Sequence, residues 1–343
     1  LLALGLGLLL PAAADSALPA AGLGGPSATS VIAQVQPKIV KIYGAGGLRG
    51  LEAYQSGLIV SPEGHLLTMW SHVLDTDAIT VTLADGRKFP AKLLGADPHL
   101  EVAVLKIDAK DLPAFRMEDA VEVEVGARVL ALSNLFGVAT GNEPASVQHG
   151  TVSVRTELTA RRGAFETPYH GPVYVLDVVT NNPGAAGGAL VTRRGQLVAM
   201  LGKELRSSLN NTWLNYAIPI GQLRKSVDEI RTGKFVTREE SEPAPKPQRP
   251  LDLARLGIAL VPDVVERTPP YVDSLRRGSP AQRAGIRVDD LVMLVGDRLV
   301  PSCKALRKEL GYIDFEDRVK LTVLRGQELR EYELQWSPSQ ESP

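Results

Sequence analysis

Cysteine is almost missing from this chain. Cys303 stands alone among 343 residues, which excludes an internal disulfide and leaves too few thiolates for a structural zinc site. Aromatic residues are scarce at 5%. An excess of either charge is also lacking, because 38 Lys and Arg against 39 Asp and Glu leave a net −1. That balance argues against a basic nucleic-acid binder or a polyanionic tail. The histidines at 65, 99, 149 and 170 show no metal-ligand spacing, so no metal and no cofactor is expected. What is abundant points elsewhere. Hydrophobic residues make up 44% and charged residues 22%, the balance of a globular chain with a real core. The 32 Gly and 24 Pro imply many turns and a β-rich fold. The length suits two domains of about 100–200 residues each.

The chain opens with an apolar run from Leu1 to Leu10, followed by Pro11-Ala12-Ala13-Ala14-Asp15. This reads as the apolar part of a secretory signal with an Ala-x-Ala cleavage site. A membrane anchor is the alternative, although ten residues alone fall short of the roughly 20 needed to span a bilayer. Residues 1–29 are accordingly an export segment and loose tether, and the protein is expected in the periplasm or cell envelope, membrane-attached only if the segment is uncleaved.

From Ser30 to Leu201 the dominant pattern has period two. Ile79, Val81 and Leu83 alternate with smaller or polar residues and end at Asp85-Gly86, a hairpin turn signal. Val121, Val123 and Val125 alternate with Glu122 and Glu124 and predict another strand, while Val102–Ile107 is apolar enough to be buried on both faces. Many short strands with almost no helical period indicate a β barrel or sandwich. A helix follows Pro219, with Leu223, Val227 and Ile230 on one face and Gly233 past its end. Four prolines between Pro243 and Pro250 mark an extended linker. In the unit beyond, Ser279-Pro280 and Ser302 start helices, and strands fit Gly257–Val261, Leu291–Val295 and Val319–Leu324. The expected domains are residues 30–232, a linker at 233–250, a second domain at 251–337 and a tail at 338–343.

Three segments carry chemistry when read together. Met69-Trp70-Ser71-His72-Val73-Leu74 ends one strand region, Asp97-Pro98-His99-Leu100-Glu101-Val102 leads into another, and Asn182-Pro183-Gly184-Ala185-Ala186-Gly187-Gly188-Ala189-Leu190 forms a glycine-rich loop. Their order and spacing resemble the HtrA/Deg family of trypsin-like serine proteases. The second unit extends the resemblance, since Arg255-Leu256-Gly257-Ile258 is similar to the carboxylate-binding loop of a PDZ domain and Gly278–Ile286 to the segment that follows it. The resemblance implies a mainly β fold, a trypsin-like double β-barrel followed by a small α+β PDZ domain.

It also implies a catalytic triad that this chain no longer spells out. His72 takes the general-base position, Glu101 the Asp position and Ala186 the Ser position. In a working triad the Ser hydroxyl attacks, His takes its proton, and the carboxylate fixes the imidazole tautomer. Alanine has no atom to attack with, and loss of the triad Ser costs on the order of 10⁶ in kcat. Asp-to-Glu is milder, adding about 1.5 Å of reach while keeping the charge. No Ser, Cys or Lys lies between Asn181 and Val191 to substitute, and Ser71 adjoins His72 on the wrong segment. The oxyanion hole would use the backbone N–H groups of Gly184 and Ala186, which survive side-chain loss. A plain tight turn at Pro183–Gly188 and a leftover buried imidazole at His72 remain the alternatives. Lys203-Glu204 are either solvent-facing charges or an obstruction in the cleft.

For the PDZ unit the resemblance assigns peptide binding to Arg255, Leu256, Gly257 and Ile258, with Leu306 and Leu310 on the facing helix. An extended peptide would add as a strand while loop N–H groups hold its terminal carboxylate. The expected function is an exported, degenerate HtrA-like protein that binds protein C-termini or unfolded segments in a regulatory or quality-control role. The alternatives are an active serine endopeptidase and a structural assembly subunit. A homo-oligomer, a trimer by resemblance, is a possible partner state; nucleic acid is not a partner.

Overall fold

The computed structural model describes residues 27–46, 52–162, 165–235, 246–263, 268–326 and 328–336. The expected export segment and most of the proline-rich linker lie outside the described residues. A short helix, α1 (Ala28–Val35), begins at Ser27, whose side chain caps the Ser30 N–H and whose carbonyl takes the Val31 N–H. Residues 28 and 29 were expected in the tether. They are helical because Val31 and Val35, one turn apart, bury against the barrels.

The strands of the first barrel are β1 (Ile39–Tyr43), β2 (Tyr54–Ile59), β3 (His65–Met69), β4 (Ile79–Thr82), β5 (Lys88–Asp97) and β6 (Val102–Ile107), closed in the order β1-β2-β3-β6-β5-β4. The Asp85-Gly86 turn joins β4 to β5 with Thr82 opposite Lys88. The second barrel uses β7 (Arg128–Ser133) and β8 (Ser146–Glu157). A small sheet then intervenes, formed by β9 (Ala160–Arg162) and β10 (Phe165–Glu166). The barrel resumes with β11 (Pro172–Leu176), β12 (Ala189–Thr192) and β13 (Leu197–Leu201); β14 (Arg206–Ser207) joins the small sheet, and β15 (Tyr216–Pro219) completes the closure β11-β15-β13-β12-β7-β8.

The alternating valines at 121–125 do not form a strand. The six strands of the second barrel already close on one another, leaving no ladder edge there. The segment instead drapes over the barrel, with the Val121 N–H on the Leu197 carbonyl and the Val123 N–H on the Tyr174 hydroxyl, while Val125 stays exposed.

α2 (Ile220–Arg231) follows β15 directly and buries Leu223, Val227 and Ile230 in the apolar layer between the barrels. Leu58, Leu67 and Met69 enter that layer from the first barrel, and Leu130, Leu132 and Met200 from the second. This shared layer fixes the seam in which loops from both barrels meet.

The PDZ unit has α3 (Leu253–Leu256), β16 (Ile258–Leu260), β17 (Val272–Leu275), α4 (Pro280–Ala284), β18 (Leu291–Val295), β19 (Arg298–Leu299), α5 (Cys303–Leu310), β20 (Val319–Arg325) and β21 (Glu328–Leu334). Ser279 and Ser302 cap α4 and α5 through their hydroxyls. Asp290 is fully buried and receives Arg325 at 2.7 and 2.8 Å, which ties β20 to the turn before β18. Met293, Leu294 and Leu299 pack into the core of the first barrel, so the β18–β19 face is the seat of the PDZ unit on the peptidase unit. The mainly β fold of two six-stranded barrels and a smaller domain is the one expected. No helix among the described residues is long and apolar enough to cross a membrane.

Candidate functional site

Each expected site residue of the barrels is delivered by a loop at the seam. His72 opens a single helical turn just past β3, and the Ser71 hydroxyl caps that turn by accepting the Val73 N–H. The same hydroxyl donates to Gln55 Oε1, so Ser71 is held in a structural role. Glu101 ends the turn between β5 and β6 with φ of 53°, in the left-handed region, and its carbonyl takes the Trp70 N–H at 2.7 Å. That turn is built by buried Asp97, which accepts the N–H groups of His99 and Leu100 and the Ser226 hydroxyl of α2.

The loop before β12 is pinned through its carbonyls. Phe136 N–H bonds the Pro183 oxygen at 2.8 Å, the Ser56 hydroxyl donates to Gly184 O at 2.6 Å, and the Ser56 N–H donates to Ala186 O at 2.9 Å. Two glycines make this path possible. Gly184 has φ of 87°, and a Cβ there would lie 2.0 Å from the Asn134 oxygen; Gly187 has φ of 82°, with Ser56 O at 2.3 Å from such an atom. With the carbonyls turned inward, the Gly184 and Ala186 N–H groups find no acceptor among the described residues. They border a hollow of about 110 Å³ that His72, Tyr54, Asn182 and Lys203 also line. Two backbone donors without an acceptor among the described residues thus border the same hollow as an imidazole, and the side chain at 186 is a methyl group.

The imidazole and the carboxylate do not face each other. His72 Nε2 lies 2.8 Å from the Glu52 carbonyl. A carbonyl only accepts, so Nε2 carries a proton in that bond. A general base needs the opposite tautomer, with the Nε2 lone pair toward the nucleophile. Glu101 meanwhile accepts the Lys203 ammonium on Oε1 at 2.7 Å and the Thr167 hydroxyl on Oε2. Both side chains of the ion pair are only 14% exposed. Tyr216, buried beneath, accepts the Lys203 backbone N–H, and burial reinforced by the Glu101 charge pushes its hydroxyl far above the ordinary phenol range. Lys203, Thr167 and the Glu52 carbonyl are the members of this network that the sequence did not single out as partners. Only Lys203 left a trace there, as a charge following a cleft strand.

The side of the site away from the hollow opens into a cavity of about 330 Å³ between the peptidase and PDZ units, walled by Trp70, Leu205, Pro270 and Leu299 and reaching His72, Glu101 and Lys203.

In the PDZ unit the expected peptide-binding residues come together around one core. Leu256, Ile258, Leu306 and Leu310 are all buried in the same apolar cluster. The segment expected as a loop is the short helix α3, capped by the Asp252 carboxylate on the Arg255 N–H and closed by Gly257 with φ of 74°. Arg255 lies with its guanidinium 4.4 Å from the Phe315 ring centre and 5.3 Å from that of Trp336. β16 pairs with β17 on one side, and among the described residues no strand covers its other edge. Among those residues, too, no group of three His, Cys, Asp or Glu side chains is placed to hold a metal ion.

Comparisons with known proteins agree with this architecture. A trypsin-like peptidase domain matches residues 55–200 and a PDZ domain matches residues 254–335. A probable periplasmic serine endoprotease DegP-like of Chlamydia muridarum is 29% identical over 279 residues, 79% of this chain and 51% of the relative. Its counterpart in Halomonas elongata is 30% identical over 287 residues, 80% of this chain and 54% of the relative. The chain therefore spans about half the length of the curated relatives it matches. A solved structure described as HtrA-type protease AlgWS227A with tripeptide shares the fold at a TM-score of 0.50, with 23% identity over 91% of this chain and 98% of that one. Because both domains match in the order the fold displays them, this chain is a trypsin-like peptidase domain followed by one PDZ domain, similar over about four fifths of its length to proteins named DegP-like periplasmic serine endoproteases.

Proposed function

We propose that the chain is an exported HtrA-like protein that recognises polypeptides without cutting them. Ala186 carries this reading. At the position that the family resemblance gives the nucleophile there is a methyl group, and covalent catalysis has no oxygen with which to form an acyl bond. The protonated Nε2 of His72 and the diverted Glu101 support it, because both depart from what a general base requires. The name periplasmic borne by the relatives supports export, and the open edge of β16 beside Gly257 supports strand addition of a peptide whose carboxylate meets the α3–β16 turn. The partners are protein C-termini or unfolded segments, and the role is regulatory or in protein quality control.

The test is a covalent one. Purified full-length protein is incubated with a fluorophosphonate probe and, separately, with casein. No adduct and no cleavage are expected. A labelled residue mapped to the barrels, or casein cleavage lost in His72→Ala, would return the chain to the active endopeptidases.

A further inference from the structure

We infer that Lys203 is a positioning residue that holds the site off on its own account, by drawing Glu101 away from His72, so that restoring a hydroxyl at position 186 would not by itself restore catalysis. The inference builds on the non-cleaving reading and extends it from one missing atom to a rewired network.

Three observations carry it. Both oxygens of the Glu101 carboxylate are committed to the second barrel, one to Lys203 at 2.7 Å and the other to Thr167. The extra methylene of Glu over Asp, about 1.5 Å of reach, lets a residue of the first barrel meet partners across the seam. The imidazole has taken the complementary state. A proton on Nε2, given to the Glu52 carbonyl at 2.8 Å, leaves the lone pair of the neutral ring on Nδ1, which then has no proton to give a carboxylate. Finally, Lys203 and His72 both line the hollow beside Ala186 and the cavity under the PDZ unit, so the ion pair and the imidazole border the same two spaces. The charged groups around the imidazole are Glu52 and Glu204 on the hollow, Asp75 on the cavity, and the Lys203–Glu101 pair. Within that ring the pair is a self-neutralised unit.

Lys203 thus does to Glu101 what the imidazole does to the carboxylate of a working triad: it supplies the buried partner. Removing it frees the carboxylate to accept from Nδ1, and the ring then switches tautomer. The experiment reads that switch in ¹⁵N chemical shifts of the full-length protein at a pH where His72 is neutral, with the His72 signals assigned by their loss in His72→Gln. The wild type is expected to show Nε2–H, Lys203→Met to show Nδ1–H, Lys203→Arg to keep the wild-type pattern, and Lys203→Met with Glu101→Gln to return to Nε2–H. An unchanged tautomer in Lys203→Met overturns the inference, and so does Nδ1–H in the wild type, a result that does not depend on the Lys203 variants folding. In a second arm, Ala186→Ser alone stays inert toward a fluorophosphonate, while Ala186→Ser with Lys203→Met reacts about a hundredfold faster. Labelling of the Ala186→Ser single variant at position 186 overturns the inference and leaves the non-cleaving reading intact. That reading fails if the wild-type chain itself is labelled in the barrels or cleaves casein in a His72-dependent way.

Discussion

The Lys203–Glu101 pair has an energetic signature as well as a chemical one. At 2.7 Å and 14% exposure on each side, the two charges have lost most of their hydration and depend on each other. Removing one partner of such a pair typically costs about 3–5 kcal/mol, because the other is left buried and uncompensated. Lys203→Met should fall near the lower end, about 3 kcal/mol, since the Thr167 hydroxyl still donates to the stranded carboxylate. Glu101→Gln leaves the ammonium stranded and should likewise cost about 3 kcal/mol, while the double variant, with two neutral side chains of similar volume, should lie within about 1 kcal/mol of wild type. The coupling between the sites is therefore strongly non-additive, at least about 5 kcal/mol, above the roughly 0.5–3 kcal/mol found for most contacting residues. Urea titrations of the four proteins, followed by tryptophan fluorescence, read it directly. With a denaturant slope of about 1–3 kcal/mol per molar, the single Lys203 variant should unfold about 1 M or more earlier. Additivity within about 0.5 kcal/mol would mean the two groups do not sense each other, and the account of the site would fail.

Three further outcomes follow from the packing. Gly184→Ala should lower Tm by several degrees, since its Cβ would lie 2.0 Å from the Asn134 oxygen at a φ of 87°, and calorimetry of the variant checks it. Arg325→Met should destabilise the PDZ unit by about 3–5 kcal/mol by leaving fully buried Asp290 without its cation, measured as early loss of far-UV signal in urea. For His65, burial holds the imidazole below its ordinary value, with Arg231 and Lys106 adding to the shift, while Nδ1 lies 2.7 Å from the Ser61 hydroxyl. The unfolded chain then binds the proton more readily, so this contribution is present above the unfolded value of about 6.5 and is lost as pH falls below it. The urea midpoint should drop between about pH 7 and pH 5, and His65→Gln should flatten that slope; an unchanged slope would place the acid sensitivity elsewhere.

Local rules made much of the fold readable. Asp85-Gly86 could only be a tight turn, and Pro219 with Gly233 bracketed α2 because one cannot sit inside a helix and the other adopts the φ of 102° that follows its end. Where reading failed, the deciding partner was remote. The valines at 121–125 have the pattern of a strand, but a strand also needs an unpaired edge, and closure of the second barrel removed it. The first helix was hidden in Ala- and Ser-rich sequence because only its burial against both barrels makes Val31 and Val35 informative. At the site, position 186 spoke for itself through its side chain. Lys203 did not, since its meaning depends on a carboxylate 102 residues earlier. The Glu52 oxygen that binds His72 is a main-chain atom, and main-chain atoms leave no mark in composition or spacing.

The burial of Met293, Leu294 and Leu299 in the core of the first barrel has a practical corollary. Severing the polypeptide between its two halves would strip an oily face on each, so the fragments should clump or soften when expressed apart and recover when mixed. Their melting should be concerted in the intact molecule, and a ligand gripped by either half would then raise the heat resistance of both.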